Sequence, residues 1–260
     1  MSAANKEQPE DQPEDQSVEH ILQPRGATPR VAVIIVAAGN STRMQLKDGQ
    51  RKPQLALGGK PILERTCALF HGLKEVSEII LVAHPEDIRT YEQWTIDCPE
   101  LGKVRAIVPG GQERADSVRN GVFWCHFDVD IIAIHDAARP FCAPEVVREA
   151  FRIAHAKGAA LVAAPVHDTI KVSEDEGRTA TSTLDRSKLW AAQTPQVFSA
   201  KRLRELVERA VKEDFSPTDD AALWERYEGA IALVPSDASN IKITTPADLV
   251  IAKAILQGRS

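Results

Sequence analysis

Residues 31–38 read VAVIIVAA, an uninterrupted and largely β-branched apolar run closed by Gly39. A strand with one wet face alternates apolar and polar side chains. This one does not, so both of its faces must be covered, the condition of an interior strand in a parallel sheet with helices on each side. The pattern around it repeats the unit. A helix with Pro61 in its first turn is expected over 61–73 and an apolar strand over 78–83, a β-α-β unit whose crossover is right-handed.

The alternation continues through a helix at 85–96, a strand at 104–108, a helix at 113–125, a strand at 130–135, a helix after Pro144 and a strand at 159–165. Such an order predicts an α/β fold, a doubly wound, mostly parallel open sheet. Residues 166–196 break the pattern with short Thr- and Val-containing segments, VHDTIKV and TATSTLDR, around the charged SEDEGR, and are expected to form a β-hairpin arm. A lone two-stranded hairpin is marginal in water, so the arm needs something to pack on, and a second copy of the chain is the natural candidate. After it come expected helices at 200–212 and 219–227, strands at 231–234 and 241–243, and a last helix after Pro246.

The 260 residues suffice for one large α/β domain, placed at 30–260. Residues 1–29, opening MSAANKEQPEDQPEDQ, carry almost no large apolar side chain to offset the entropy of ordering and are expected to be a disordered acidic tail. That start has neither a basic segment followed by an apolar one nor a run of membrane-spanning length, so secretion and membrane insertion are not expected. The net charge of −5 argues against a nucleic-acid partner. Cys67, Cys98, Cys125 and Cys142 form no CxxC pair, which fits a reducing cytoplasm better than a disulfide framework or a zinc site.

Directly after the first strand stands AAGNSTRM, in which Ala37, Ala38 and Gly39 let the backbone approach a ligand and Arg43 supplies a guanidinium. At the carboxyl end of a central strand such a loop suits an anion. It lacks both the Gly-Lys-Ser/Thr ending of an NTPase phosphate loop and the GxGxxG of a dinucleotide site. Further along come GGQERADSVRNG at 110–121, IHDAARP at 134–140, APVHDTIK at 164–171, LDRSKLWAAQTPQVF at 184–198, SPTDDAALWE, and SNIKITTPADL ending at Leu249. Together and in this order these words resemble the 2-C-methyl-D-erythritol 4-phosphate cytidylyltransferases of non-mevalonate isoprenoid precursor synthesis, over nearly all of 30–257.

The resemblance implies a Rossmann-like nucleotidyltransferase fold and transfer of CMP from CTP to a polyol phosphate, with Mg²⁺, in a cytoplasmic homodimer joined through the arm. A phosphate acceptor is already a nucleophile, so the chemistry needs positioning and positive charge more than a base or a covalent intermediate. The residues matching the family's catalytic positions are Arg43, Lys52, Arg186 and Lys242. The local order Arg51-Lys52-Pro53-Gln54 departs from the family's more usual Pro-Lys-Gln, which leaves Arg51 and Lys47 as alternatives to Lys52. CTP is expected on Ala37, Ala38, Gly39, Gly110, Gly111, Ser117 and Asp136, with Gln112 where an acidic residue often stands and Asp136 also the metal ligand. The acceptor is expected on Arg139, Thr169, Arg186, Thr194, Thr218 and Lys242. His135 has no second His at ligand spacing and is read as a packed strand end. Three alternatives remain open from sequence: a ribitol 5-phosphate cytidylyltransferase, a sugar 1-phosphate transferase using another NTP, and a nucleotide-binding module without catalysis.

Overall fold

The computed structural model describes residues 28–44, 46 and 50–259; the expected tail over residues 1–27, and Lys47, lie outside the described residues. In chain order the strands are β1 Val31–Ala37, β2 Ala56–Leu57, β3 Lys60–Pro61, β4 Val76–Ala83, β5 Val104–Pro109, β6 Ile131–Asp136, β7 Ala159–Pro165, β8 Lys171–Val172, β9 Ser182–Thr183, β10 Trp190–Ser199 and β11 Ala232–Pro235. The helices are α1 Ile62–His71, α2 Ile88–Asp97, α3 Arg114–Trp124, α4 Pro144–Lys157, α5 Ala200–Lys212, α6 Asp220–Glu228 and α7 Pro246–Gly258.

A seven-stranded sheet runs in the order β11-β7-β10-β6-β1-β4-β5. β1 pairs in parallel with β4 on one side and β6 on the other, which makes the long apolar run an interior strand as its composition requires. Its side chains alternate between two cores. Val31, Val33, Ile35 and Ala37 pack with Leu63 and Phe70 of α1, Tyr91 of α2 and Phe151 of α4. Ala32 and Ile34 pack with Val118 and Val122 of α3, Leu203 and Leu206 of α5 and Trp224 of α6. A smaller cluster joins Leu57, Ile62, Phe141 and Ile243 to Ala252 of α7.

Two expectations are corrected. Residues 190–196, assigned from sequence to the arm, belong to β10, which lies antiparallel between β6 and β7. Its text, WAAQTPQVFS, is too polar to read as an interior strand, yet each buried amide has partners. The Gln196 carbonyl oxygen accepts from the Ala221 N–H at 2.7 Å and its amide donates to Asp219 at 2.9 Å, while Gln193 accepts from Asn240 at 2.9 Å. Pro195, which has no N–H for a ladder, falls where the register shifts between Ala192 and Gln196. What protrudes is the short β8–β9 hairpin, whose residues from 176 to 188 are exposed.

The second correction concerns 241–243, which is no strand. Ile243 gives its N–H to the Ala138 carbonyl at 2.9 Å, and the preceding turn is tied down by side chains: Asn240 donates to the Thr194 carbonyl at 3.1 Å and its own carbonyl accepts from Arg139 at 2.7 Å. Those bonds carry Lys242 to the carboxyl end of the sheet without a ladder.

Candidate active site

The carboxyl ends of β1, β4, β5 and β6 open into one cleft of about 620 Å³. It sits where the strand order turns outward on both sides of β1, the place at which open α/β sheets leave a crevice. Ala37, Ala38 and Gly39 form one wall and Gly110, Gly111 and Ser117 another. The two walls nearly touch, since a Cβ on Gly110 would stand 2.3 Å from that of Ala38. Gly111 donates its N–H to the Ser117 hydroxyl at 3.0 Å, which ties the turn to the first part of α3. The N-terminus of α3, closed by a capping box between Glu113 and Asp116, faces the cleft beside Arg114.

Asp136 ends β6 on the cleft floor and is only 7% exposed. Lys242 Nζ lies 2.8 Å from its Oδ2, Arg139 Nε 3.7 Å from the same oxygen, and Arg114 Nη2 3.8 Å from Oδ1. Burial pushes this carboxyl up, but Lys242, Arg114 and Arg139 together outweigh it and bring the pKa to about 2. Lys52, half-buried on the opposite wall, is depressed, first by burial and then by repulsion from Lys242 and Arg43. Asp136 and Asp248 offset this only in part. So many cations around one carboxylate leave a surplus that a polyanion would satisfy.

The main chain of Asp136 is fixed by three polar groups whose proton positions follow from their partners. The Arg139 carbonyl can only accept, so at 2.9 Å it takes the proton of His135 Nε2. His135 Nδ1 then carries a lone pair and accepts from the Thr194 hydroxyl at 3.1 Å, whose oxygen accepts the Asp136 N–H at 3.1 Å. His135 is fully buried, a packed strand end as its sequence context indicates. Burial brings it down to about 4 from the ordinary 6.5, against the opposing pull of the Arg139 carbonyl and Asp136. The native state therefore takes up fewer protons than the unfolded chain between these values, and stability rises with pH across that window. Urea denaturation should show about 3 kcal/mol lost as pH falls from 6.5 to 4, with a His135→Gln variant showing a flatter profile; equal profiles would contradict it.

Of the residues expected from sequence, Ala37, Ala38, Gly39, Lys52, Gly110, Gly111, Ser117, Asp136 and Lys242 line the cleft. Arg43 is exposed on the turn Thr42–Met44, near enough for its charge to bear on Lys52. Arg139 and Thr194 are set behind the cleft surface: Arg139 Nη1 donates to the Asn240 carbonyl and the Thr194 hydroxyl is engaged as described, while Arg139 Nε is buried beside Asp136 without a hydrogen bond. Thr169 and Arg186 are exposed on the arm, where Arg186 donates to the His167 carbonyl at 2.9 Å, and Thr218 is exposed ahead of α6. Among the alternatives to Lys52, Arg51 is turned away into an ion pair with Asp87 at 3.0 Å and Glu86 at 2.7 Å.

Sequence reading passed over Arg114, which lines the cleft and pairs with the buried Asp220 at 2.8 Å. The signal was present, a guanidinium opening a helix just past the Gly110-Gly111 turn. His84 and Pro85, which complete the wall after β4, carry none. For a metal, the cleft offers the carboxylates of Asp136 and Glu113, and no group of three or more His, Cys, Asp or Glu is arranged as a cage among the described residues. Mg²⁺ is commonly held by one or two carboxylates with substrate phosphates and water, and Asp136 fits that donor set.

A family model for 2-C-methyl-D-erythritol 4-phosphate cytidylyltransferase matches residues 31–258. The chain is 42% identical over 227 residues to the enzyme of that description from Caldanaerobacter subterraneus subsp. tengcongensis, covering 87% of this chain and 99% of the relative. It is 39% identical over 230 residues to the one from Syntrophus aciditrophicus, covering 88% and 97%. Among solved structures, 4-diphosphocytidyl-2C-methyl-D-erythritol synthase from Anaerococcus prevotii superposes with a TM-score of 0.77 at 29% identity, over 88% of this chain and 97% of that one. The 2-C-methyl-D-erythritol 4-phosphate cytidylyltransferase from Thermus thermophilus does so with a TM-score of 0.72 at 30% identity, over 88% and 99%.

Proposed function

The chain belongs to the 2-C-methyl-D-erythritol 4-phosphate cytidylyltransferase family, and from that premise we infer that it transfers CMP from CTP to 2-C-methyl-D-erythritol 4-phosphate, forming 4-diphosphocytidyl-2-C-methyl-D-erythritol and pyrophosphate. The observation that carries the mechanism is the ring of cations around Asp136 at the carboxyl end of β6. An oxygen of the acceptor phosphate attacks the α-phosphorus of CTP as the bond to the bridging oxygen of the leaving pyrophosphate breaks. Charge builds on the α-phosphoryl oxygens and on the leaving group, where Lys52, Arg43 and Lys242 stabilise it. Gly110, Gly111 and Ser117 offer main-chain groups and a hydroxyl to the base, whose N4 amino donor and N3 and O2 acceptors distinguish cytosine from uracil.

Asp136 would hold Mg²⁺, which when bound neutralises phosphate charge and orients the triphosphate. The acceptor phosphate is steered by Lys242 and Arg139 from this chain and by Thr169 and Arg186 from the arm of a second copy, with Thr194 and Thr218 near the same subsite. The exposure of Leu184 on the arm, 42% accessible, and of Trp190 where β10 begins beside it, 40% accessible, supports a homodimer completed in this way. Sedimentation giving only monomer at micromolar concentration would contradict the dimer. The four free cysteines suit a cytoplasmic enzyme, and no helix among the described residues is long and apolar enough to cross a membrane.

The acceptor assignment is tested by incubating the protein with CTP, Mg²⁺ and either 2-C-methyl-D-erythritol 4-phosphate or ribitol 5-phosphate and following pyrophosphate release. Turnover with the first and at least about tenfold less kcat/KM with the second is expected, the range that contacts to a single extra or misplaced polar group command. Preference for ribitol 5-phosphate would overturn the acceptor while leaving cytidylyl transfer in place.

A further inference from the structure

Lys52 reaches the cleft from a short loop that its neighbours hold in place. Its own N–H donates to the Ser41 hydroxyl at 3.0 Å, which ties it to the loop after β1. Pro53 is buried, and its ring fixes the local φ. Arg51, the residue before, is 9% exposed and sends both terminal nitrogens into the turn Pro85–Asp87: Nη1 to Asp87 at 3.0 Å, and Nη2 to Glu86 at 2.7 Å with His84 Nε2 at 3.2 Å. Gln54 closes the other side, donating to the same Asp87 oxygen at 2.9 Å.

A buried guanidinium is costly unless its surroundings compensate it, and this one is spent on joining two walls of the cleft rather than on facing a phosphate. The wall after β4, His84 and Pro85, lines the cleft on one side, and Lys52 lines it on the other. We propose that Arg51 is a positioning residue of the transfer reaction, a clamp that locks the Lys52 loop to the His84–Pro85 wall and so fixes where Lys52 meets the triphosphate.

The clamp also bears on the local order of residues. With proline after the lysine, Lys52 is the first residue of its turn, Lys52–Gln54, and the residue fixed immediately ahead of it is Arg51. A lysine has four rotatable side-chain bonds and gains in precision when its main chain is held. Arg51 holds it from one side and Ser41 from the other.

The proposal rests on Lys52 acting on the triphosphate, and its test separates the two claims. Removing Arg51 alone strands the Asp87 charge, so the paired variant Arg51→Met with Asp87→Asn is used, which leaves no unpaired buried ion and keeps an acceptor for Gln54. In enzyme with Lys52 intact this pair should lower kcat/KM for CTP by roughly tenfold to a hundredfold, as misplacement of a reacting contact by about an ångström does. In a Lys52→Ala background the same pair should change it by less than about twofold, because the residue it positions is gone. An equal loss in both backgrounds would show a general structural effect and overturn the clamp, as would no loss with Lys52 present. Full activity of the Lys52→Ala enzyme by itself would instead remove the role of Lys52, and the clamp with it.

Discussion

Replacing Lys52 by alanine lowers kcat by roughly 10²- to 10³-fold while the melting temperature stays within about 3 °C of the parent, the scale found when one preorganised donor to a transition-state anion is removed. The split follows from the charges that surround Lys52 in the cleft. Lys52 is depressed by burial and by the nearby charges of Lys242 and Arg43, so its ammonium is unfavourably placed until an anion arrives. Taking it away relieves repulsion in the empty protein and withdraws stabilisation only when phosphate charge builds. Steady-state pyrophosphate release and thermal denaturation of the same preparation check both halves. A large fall in melting temperature with little change in kcat would assign Lys52 to the fold instead.

Asp136 produces the opposite pairing of effects, loss of stability together with loss of activity. Its carboxylate is buried and serves Lys242, Arg114 and Arg139 at once, so Asp136→Ala leaves these cations facing one another. Breaking a buried pair costs about 3–5 kcal/mol, and the partial exposure of Lys242 brings the expectation to about 2–3 kcal/mol. Activity should fall by roughly 10³-fold, because the cations lose their geometry and the metal its carboxylate. Asp136→Asn isolates the charge, since it keeps the shape and the main-chain bond to Thr194. In the parent, saturating CTP with Mg²⁺ should raise stability by about 2.7 kcal/mol at a hundred times Kd. The Asn variant should lose the part of that gain that depends on Mg²⁺. An Asn variant with full activity and an undiminished Mg²⁺ effect would exclude Asp136 as the metal ligand.

The layered architecture was legible because the parallel strands are written in apolar runs that admit no other burial. β1, β4, β6 and β7 each announce themselves in this way. β10 does not, because Gln193, Thr194 and Gln196 look like loop residues until their partners on 219–221 and 237–240 are known. The stretch 241–243 erred the other way: apolar alternation suggested a strand where Ile241 and Ile243 in fact pack under α7. Periodicity reports burial, and burial was right there; it does not report who takes the backbone hydrogen bonds.

The same division runs through the site. Small residues and charges placed straight after strands, Gly39, Gly110 and Asp136, are visible because strand ends in an open sheet are where ligands gather. Contacts between distant segments leave no such trace. Arg51 with Asp87 spans 36 residues and Arg114 with Asp220 spans 106, separations far too long for the local periodicity of a helix or strand to bring together. Thr194, grouped from sequence with the acceptor contacts, has its hydroxyl engaged by His135 and the Asp136 N–H, and its first influence is on where Asp136 stands.

The most direct test of a cationic cleft built for a nucleoside triphosphate is a crystal structure of the protein with CTP and Mg²⁺. Cytosine is expected against Gly110 and Gly111, phosphates between the Gly39 loop and Lys242 with Lys52 Nζ in hydrogen-bond contact with a phosphate oxygen, and the metal on Asp136. A triphosphate bound elsewhere, or in this cleft with Lys52 and Lys242 both turned away from it, would contradict this placement.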